Sequence, residues 1–125
     1  IFYANEILKL NPNSADGYWY RAYAMAEIEK YSEAIEDYSK AIELGDNDTN
    51  TFNNRGFAKE NLKDFYGAIF DYDTAIKVDS ENSLAYFNRG YAKQSIGDRK
   101  GACDDWRKAY SLGYGNAAET LRDQC

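Results

Sequence analysis

The sequence contains no histidine, one proline and two cysteines in 125 residues. Without histidine there is no Cys–His or Ser–His catalytic pair and no mixed zinc site. Basic residues are also in short supply, 15 Lys and Arg against 21 Asp and Glu, for a net charge of −6. No cluster of Lys and Arg stands out, so a nucleic-acid partner is excluded, while a neutral or basic protein or peptide is accommodated. No apolar run approaches the ~18 residues of a membrane span. Nothing at the start resembles a signal peptide. The chain begins at Ile1, already inside an apolar-periodic segment, and is expected to be a piece of a longer protein or to lack a processed leader.

Chemistry-bearing motifs are scarce as well. No glycine-rich loop follows a strand-like segment to cradle a phosphate. Asp46 to Asn50 begins like a calcium loop, but Thr51 stands where the glycine is needed and Phe57 where the closing Glu should be. It reads as a turn between units. Asn47-Asp48-Thr49 is a formal glycosylation triplet, which presupposes secretion. Asp104 and Asp105 adjoin in sequence and so diverge on a helix. No catalytic, cofactor-binding or metal-ligating set is assigned, and the protein is read as non-enzymatic with no cofactor.

What the sequence does have is a period. Shifting by 34 residues carries Asn54-Arg55-Gly56 onto Asn88-Arg89-Gly90 and Ala68 onto Ala102. The reverse shift carries Tyr72 onto Tyr38 and Ala75-Ile76 onto Ala41-Ile42. A period of this size means stacked supersecondary units. Apolar residues recur at helical spacing, and each unit reads as two helices joined by a turn. In the first unit these run from about Asp16 to Glu29 and from about Ser32 to Leu44. The expected organisation is a single array. Residues 1–14 form a partial unit with only the second helix. Residues 15–48, 49–82 and 83–116 are full units. Residues 117–125 form a capping helix in which Leu121 covers the last open face. Asn11-Pro12 should end the first helix, and Asp64 and Asp98 are natural helix N-caps.

Glycine inside a helix costs roughly 1 kcal/mol against alanine. Gly56 and Gly90 make sense if the bulky residue sixteen further on, Tyr72 or Trp106, fills the space. Ala22 and Tyr38 form the matching pair in the first unit. Each unit also places an Arg sixteen residues before an Asp: Arg21 and Asp37, Arg55 and Asp71, Arg89 and Asp105. These pairs either bond across the helix pair or stay separately solvated. Cys103 and Cys125 are either two separate thiols or a bridge pinning the last helix onto the last full unit. Geometry must decide.

Together these positions resemble the tetratricopeptide repeat (TPR) family. Its pattern is met at the fourth place by Tyr18, Phe52 and Tyr86, and at the eighth by Ala22, Gly56 and Gly90. At the twentieth stand Ala34, Ala68 and Ala102, at the twenty-fourth Tyr38, Tyr72 and Trp106, and at the twenty-seventh Ala41, Ala75 and Ala109. The resemblance spans nearly the whole chain. Departures are Arg for the usual Leu at the seventh place, and Asp46, Ser80 and Tyr114 where Pro is frequent.

The resemblance implies an all-α, right-handed solenoid of stacked helix-turn-helix units whose first helices line a concave peptide groove. Carried onto this sequence, it implies peptide-binding residues Trp19, Tyr20, Tyr23, Asn53, Asn54, Phe57, Phe87, Asn88 and Tyr91. Asp16, Glu27, Asn50, Asn61, Leu84 and Gln94 stand at further groove places. Some of the rings could instead pack between helices, whereas asparagines have little reason to be buried in series. Some family members hold a chaperone's C-terminal carboxylates in a clamp of Lys, Asn and Arg. Asn54 keeps one place of that clamp. Trp19, Leu84, Tyr23 and Asn88 occupy the others, which argues against such a tail. Two other roles remain open: self-assembly into a homo-oligomer through exposed end units, and service as an accessory domain of a larger enzyme.

Overall fold

The computed structural model describes residues 1–125 and consists of eight helices without strands. They are α1 (Phe2–Leu10), α2 (Ala15–Glu27), α3 (Tyr31–Glu43), α4 (Thr49–Asn61), α5 (Phe65–Val78), α6 (Ser83–Ser95), α7 (Arg99–Ser111) and α8 (Ala117–Gln124). The closest pairings are α2 with α3, α4 with α5 and α6 with α7. Successive pairs then stack through α3–α4 and α5–α6. The result is an all-α solenoid. No helix is long and apolar enough to cross a membrane.

Local chemistry sets the helix ends. The side chains of Asp64 and Asp98 accept from the backbone N–H of Gly67 and Gly101, and Ser14 and Asn82 cap α2 and α6 in the same way. The resemblance to a calcium loop dissolves into capping. Asp48 accepts from Asn50 N–H, while Asp46 accepts from Asp48 N–H and from the Thr51 hydroxyl. Asn11 ends α1 in extended backbone (φ −143°, ψ 93°), the conformation that the Pro12 ring imposes on its predecessor. The turn inside each full unit uses one left-handed residue at the same place: Glu29, Lys63 and Gly97. Only the third unit supplies the glycine that this backbone prefers.

Tyr38, Tyr72 and Trp106 are buried to within 1% of complete and form the centre of three small cores. Each ring fills a notch in the facing helix. A Cβ added at Gly56 would stand 2.8 Å from Tyr72 Cε1, and one at Gly90 would stand 2.7 Å from Trp106 Cδ1. Neither notch has room for a methyl group. Burying such a ring contributes roughly 1.5–3 kcal/mol, more than the glycine costs its helix. The polar ends of the rings are satisfied. Tyr72 donates to Glu60 Oε1 at 2.8 Å, and the Trp106 indole donates to the Phe87 carbonyl at 3.1 Å.

The three arginines do bond across their helix pairs. Arg21, Arg55 and Arg89 each grip Asp37, Asp71 or Asp105 through Nε and Nη2, at 2.7–2.9 Å. Solvated, separate charges are thereby excluded. A third arm reaches the preceding unit: Nη1 donates to Asn5, Ser39 and Asp73 respectively. Each guanidinium also lies over the ring three residues earlier, that of Tyr18, Phe52 or Tyr86. One side chain per unit thus ties together three helices and covers an aromatic face.

Cys103 and Cys125 form a disulfide, with their Cα atoms 6.0 Å apart. It fastens α8 onto α7, and Leu121 packs against the core formed by Ala102, Cys103 and Trp106.

Candidate functional site

The stack bends towards its first helices. α2 approaches α4 and α4 approaches α6, whereas α3, α5 and α7 have no comparable approach to one another. The inner surface is therefore built from α2, α4 and α6, with side chains from successive units side by side.

On α2, Tyr20 and Tyr23 are half-exposed, while Trp19 is partly buried. Trp19 stacks on Tyr23 with ring centres 5.3 Å apart and sets its edge towards Tyr38 at 6.4 Å. It is thus both wall and core. On α4, Phe57 is half-exposed and Asn54 partly exposed. Asn53 departs from expectation, being only 2% exposed. Its oxygen accepts from Asn88 Nδ2 at 3.4 Å, so this pair bridges α4 and α6. Asparagine can be buried here because the neighbouring unit supplies an amide partner.

On α6, Phe87 and Asn88 are partly buried and Tyr91 is 36% exposed. Phe87 meets Tyr114 edge-on with centres 4.6 Å apart. Tyr114 holds a place where the repeat pattern favours proline, and its ring fills the space. The Tyr91 hydroxyl pairs with the Thr120 hydroxyl at 3.1 Å, and Gln94 donates to Gln124 at 2.8 Å. The α8 cap thus occupies part of the third unit's inner face, and the first two units are the more open.

Three cavities border this face, one of them of about 280 Å³ and lined by Phe57, Glu60, Asn61, Lys63 and Phe65. A small one of about 120 Å³ is lined by Tyr23, Glu27, Tyr31, Tyr38, Asn54 and Phe57, among others. It lies where α2, α3 and α4 meet and is mainly aromatic. Tyr38 and Asn54 both line it, and burial raises the pKa of the Tyr38 hydroxyl far above the ordinary tyrosine value, so it stays protonated. A larger cavity of about 580 Å³ lies between the start of α2 and the α3–α4 turn, with Asp16, Trp19, Tyr20 and Asn50 in its wall. Asp16, Trp19, Tyr20 and Asn50 stand at places the repeat pattern assigns to the groove, whereas the share of the α3–α4 turn in this cavity carries no signal in the repeat.

Nothing in this arrangement forms an acid–base or nucleophile pair, and no three His, Cys, Asp or Glu side chains converge on a common point for an ion. What it offers is ring surface, amides and carboxylates. That composition suits contact with a peptide.

The tetratricopeptide repeat family model matches residues 49–82. Among solved structures, the first TPR domain of Spaghetti (RPAP3), bound to an HSP90 peptide of sequence SRMEEVD, is 26% identical with a TM-score of 0.83. The match covers 87% of this chain and 88% of that one. The Arabidopsis OM64 TPR domain is 27% identical, with 89% and 96% covered and a TM-score of 0.81. MamA, at 22% identity and a TM-score of 0.84 over 97% and 77% of the two chains, shares the fold. No curated protein sequence matches the chain.

Proposed function

Taking the chain as an all-α array built on the tetratricopeptide repeat, we propose that it is a non-enzymatic interaction module that binds a peptide segment in its concave face. The observation that carries this reading is the small aromatic cavity between the first two units. Tyr23, Tyr38 and Phe57 offer an apolar side chain a pocket, and Asn54 offers a peptide backbone an amide. Half-exposed rings on a rigid helix give contact area at small entropic cost.

The RPAP3 domain holds a peptide with two Glu and one Asp. The corresponding face here presents Asp16, Trp19, Tyr20, Glu27 and Asn54; Lys63 lines the cavity beside Phe57 and Asn61, and no Lys or Arg lines the other two. An acidic tail would be repelled, so the partner is a neutral or basic segment. The nine expected residues then divide. Tyr20, Tyr23, Asn54 and Phe57 touch ligand directly. Trp19, Phe87 and Tyr91 form ring-lined walls, and Asn53 with Asn88 holds α4 and α6 in register.

The test is a peptide-array screen followed by affinity measurement on Tyr23→Ala and Asn54→Ala. A loss of roughly tenfold or more for each is the expected result, about 1.4 kcal/mol. Unchanged affinity for both would remove the site from this face.

A second reading has its own observation. On α1, Phe2, Tyr3 and Leu10 are 70%, 81% and 89% exposed, an apolar surface that a second copy could cover. Light scattering over a concentration series separates the two. A mass that climbs with concentration, and falls back on Phe2→Ser with Leu10→Ser, supports self-assembly; a constant monomer mass excludes it.

A further inference from the structure

α8 turns one face to the third unit and the other to solvent. Ala117, Thr120, Leu121 and Gln124 fall on one helical stripe and are buried or partly buried, whereas Glu119, Arg122 and Asp123 are exposed. The inward stripe meets groove places of α6 directly. Thr120 pairs with the Tyr91 hydroxyl at 3.1 Å, and Gln124 accepts from Gln94 Nε2 at 2.8 Å. The Arg99 guanidinium also donates to the Gln124 carbonyl at 2.8 Å. A hydroxyl, an amide and the aliphatic Leu121 are groups that a bound peptide would bring. α8 thus stands to the third unit as a ligand would, and it engages the polar ends of Tyr91 and Gln94.

Its hold is conditional. Eight residues are too few for a helix to persist alone in water. Beside these hydrogen bonds and Leu121, the Cys103–Cys125 bridge ties α8 down. Cys103 is buried and Cys125 is exposed, so a thiol approaches the bridge from the Cys125 side. The helix pair beneath has fastenings of its own. Trp106 fills the Gly90 notch, and Arg89 and Lys93 grip Asp105 across α6 and α7.

We propose that α8 is an internal ligand of the third unit's inner face, locked there by the bridge and released by a dithiol reductant. The proposal rests on the groove reading given above and extends it. With the bridge closed, a peptide has the first two units. With the bridge open, α8 leaves, Tyr91 and Gln94 lose their partners, and the peptide continues from α4 onto α6. The exchange balances with the dithiol as sole co-reactant. One of its thiolates attacks Cys125 Sγ, the S–S bond breaks, and the Cys103 sulfur leaves with the bonding pair and takes up a proton. The second thiolate then attacks the reductant's own sulfur in the mixed disulfide. Cys125 leaves as a thiol, and the dithiol, having given two electrons and two protons, becomes a disulfide.

The experiment screens an array of peptides of about fifteen residues with the reduced chain. Extended, such a peptide reaches about 50 Å, enough to cross α2, α4 and α6 at about 10 Å apiece. The affinity of a selected fluorescent peptide is then read by anisotropy against the oxidised chain, the chain with dithiothreitol, and Cys103→Ala with Cys125→Ala. Reduction should strengthen binding roughly tenfold, and the paired variant should match the reduced chain with or without dithiothreitol. Gln94→Ala should cut the gain on reduction to below about threefold. Hydrogen exchange on the same samples should show α8 losing protection while α6 and α7 keep theirs. Equal or weaker binding on reduction overturns the proposal. So does a gain that Gln94→Ala leaves intact, an α8 that stays protected, or a loss of protection that spreads to α6 and α7. Binding by the oxidised chain still supports the groove in each of those cases. If no peptide binds in either state, the groove reading fails and takes the proposal with it.

Discussion

Asp71 is completely buried, and three nitrogens surround its carboxylate: Arg55 Nε at 2.9 Å, Arg55 Nη2 at 2.8 Å and Lys59 Nζ at 3.1 Å. Asp105 repeats the arrangement with Arg89 and Lys93. Removing one partner of a buried pair costs more than the pair itself contributes, because a charge is left stranded. Arg55→Met should therefore destabilise the fold by about 3 kcal/mol in urea denaturation, the lower end of the usual range because Lys59 remains. A loss below about 1 kcal/mol would mean the pair behaves as a surface bridge. In the third unit, burial works against the charge on Arg89, but the hydrogen bonds and charges of Asp105 and Asp73 outweigh it and raise its pKa. Glu60 gives a pH signature. Burial raises its pKa above the ordinary 4.5, with the hydrogen bond from Tyr72 pulling the other way. Folding then takes up a proton in the window above 4.5, so this residue's contribution falls as pH rises through it. Glu60→Gln keeps an acceptor for Tyr72 and removes the titration. The variant should gain on the parent between about pH 4 and about pH 7, measured by denaturation at both. A difference that does not change with pH contradicts the assignment.

At the scale of elements, the repeat pattern placed the helices of the first unit within two residues of where they stand, because caps and turn residues recur in phase. It also marked the ring-and-notch joints, since a glycine inside a helix needs a reason. The arginine–aspartate bonds were suggested by their constant offset of sixteen residues. Their third arms were not legible, because Asn5, Ser39 and Asp73 differ in chemistry and only the stacking of units brings them within reach. The buried Asn53 and the larger cavity escaped for the same reason, since both are made between units rather than within one. The disulfide was open in the sequence and is formed in the structure. An isolated eight-residue helix is unstable in water, so α8 depends on this bond, on Leu121 and on its contacts to Tyr91 and Gln94. The loop closed by the bridge spans 22 residues, which corresponds to about 3 kcal/mol of stability. Cys103→Ala with Cys125→Ala should lose about that much. Hydrogen exchange should show α8 losing protection while α2–α5 keep theirs; unaltered protection in α8 would show that packing alone holds the cap.

For the whole molecule, each unit touches only its neighbours, so the array transmits position along its length through the arginine arms and the Asn53–Asn88 bridge. That regularity lays the inner side chains of α2, α4 and α6 along one face. The outer face is different in kind. Tyr66 and Phe70 on α5 are 73% and 67% exposed and line none of the three cavities described above. Isotope-edited amide spectra, recorded while a peptide chosen from the array is titrated in, compare the two faces directly. The account predicts that shift changes concentrate on α2 and α4, around Tyr20, Tyr23, Asn54 and Phe57, with α5 and α7 unmoved. Changes centred on Tyr66 and Phe70 instead would contradict it.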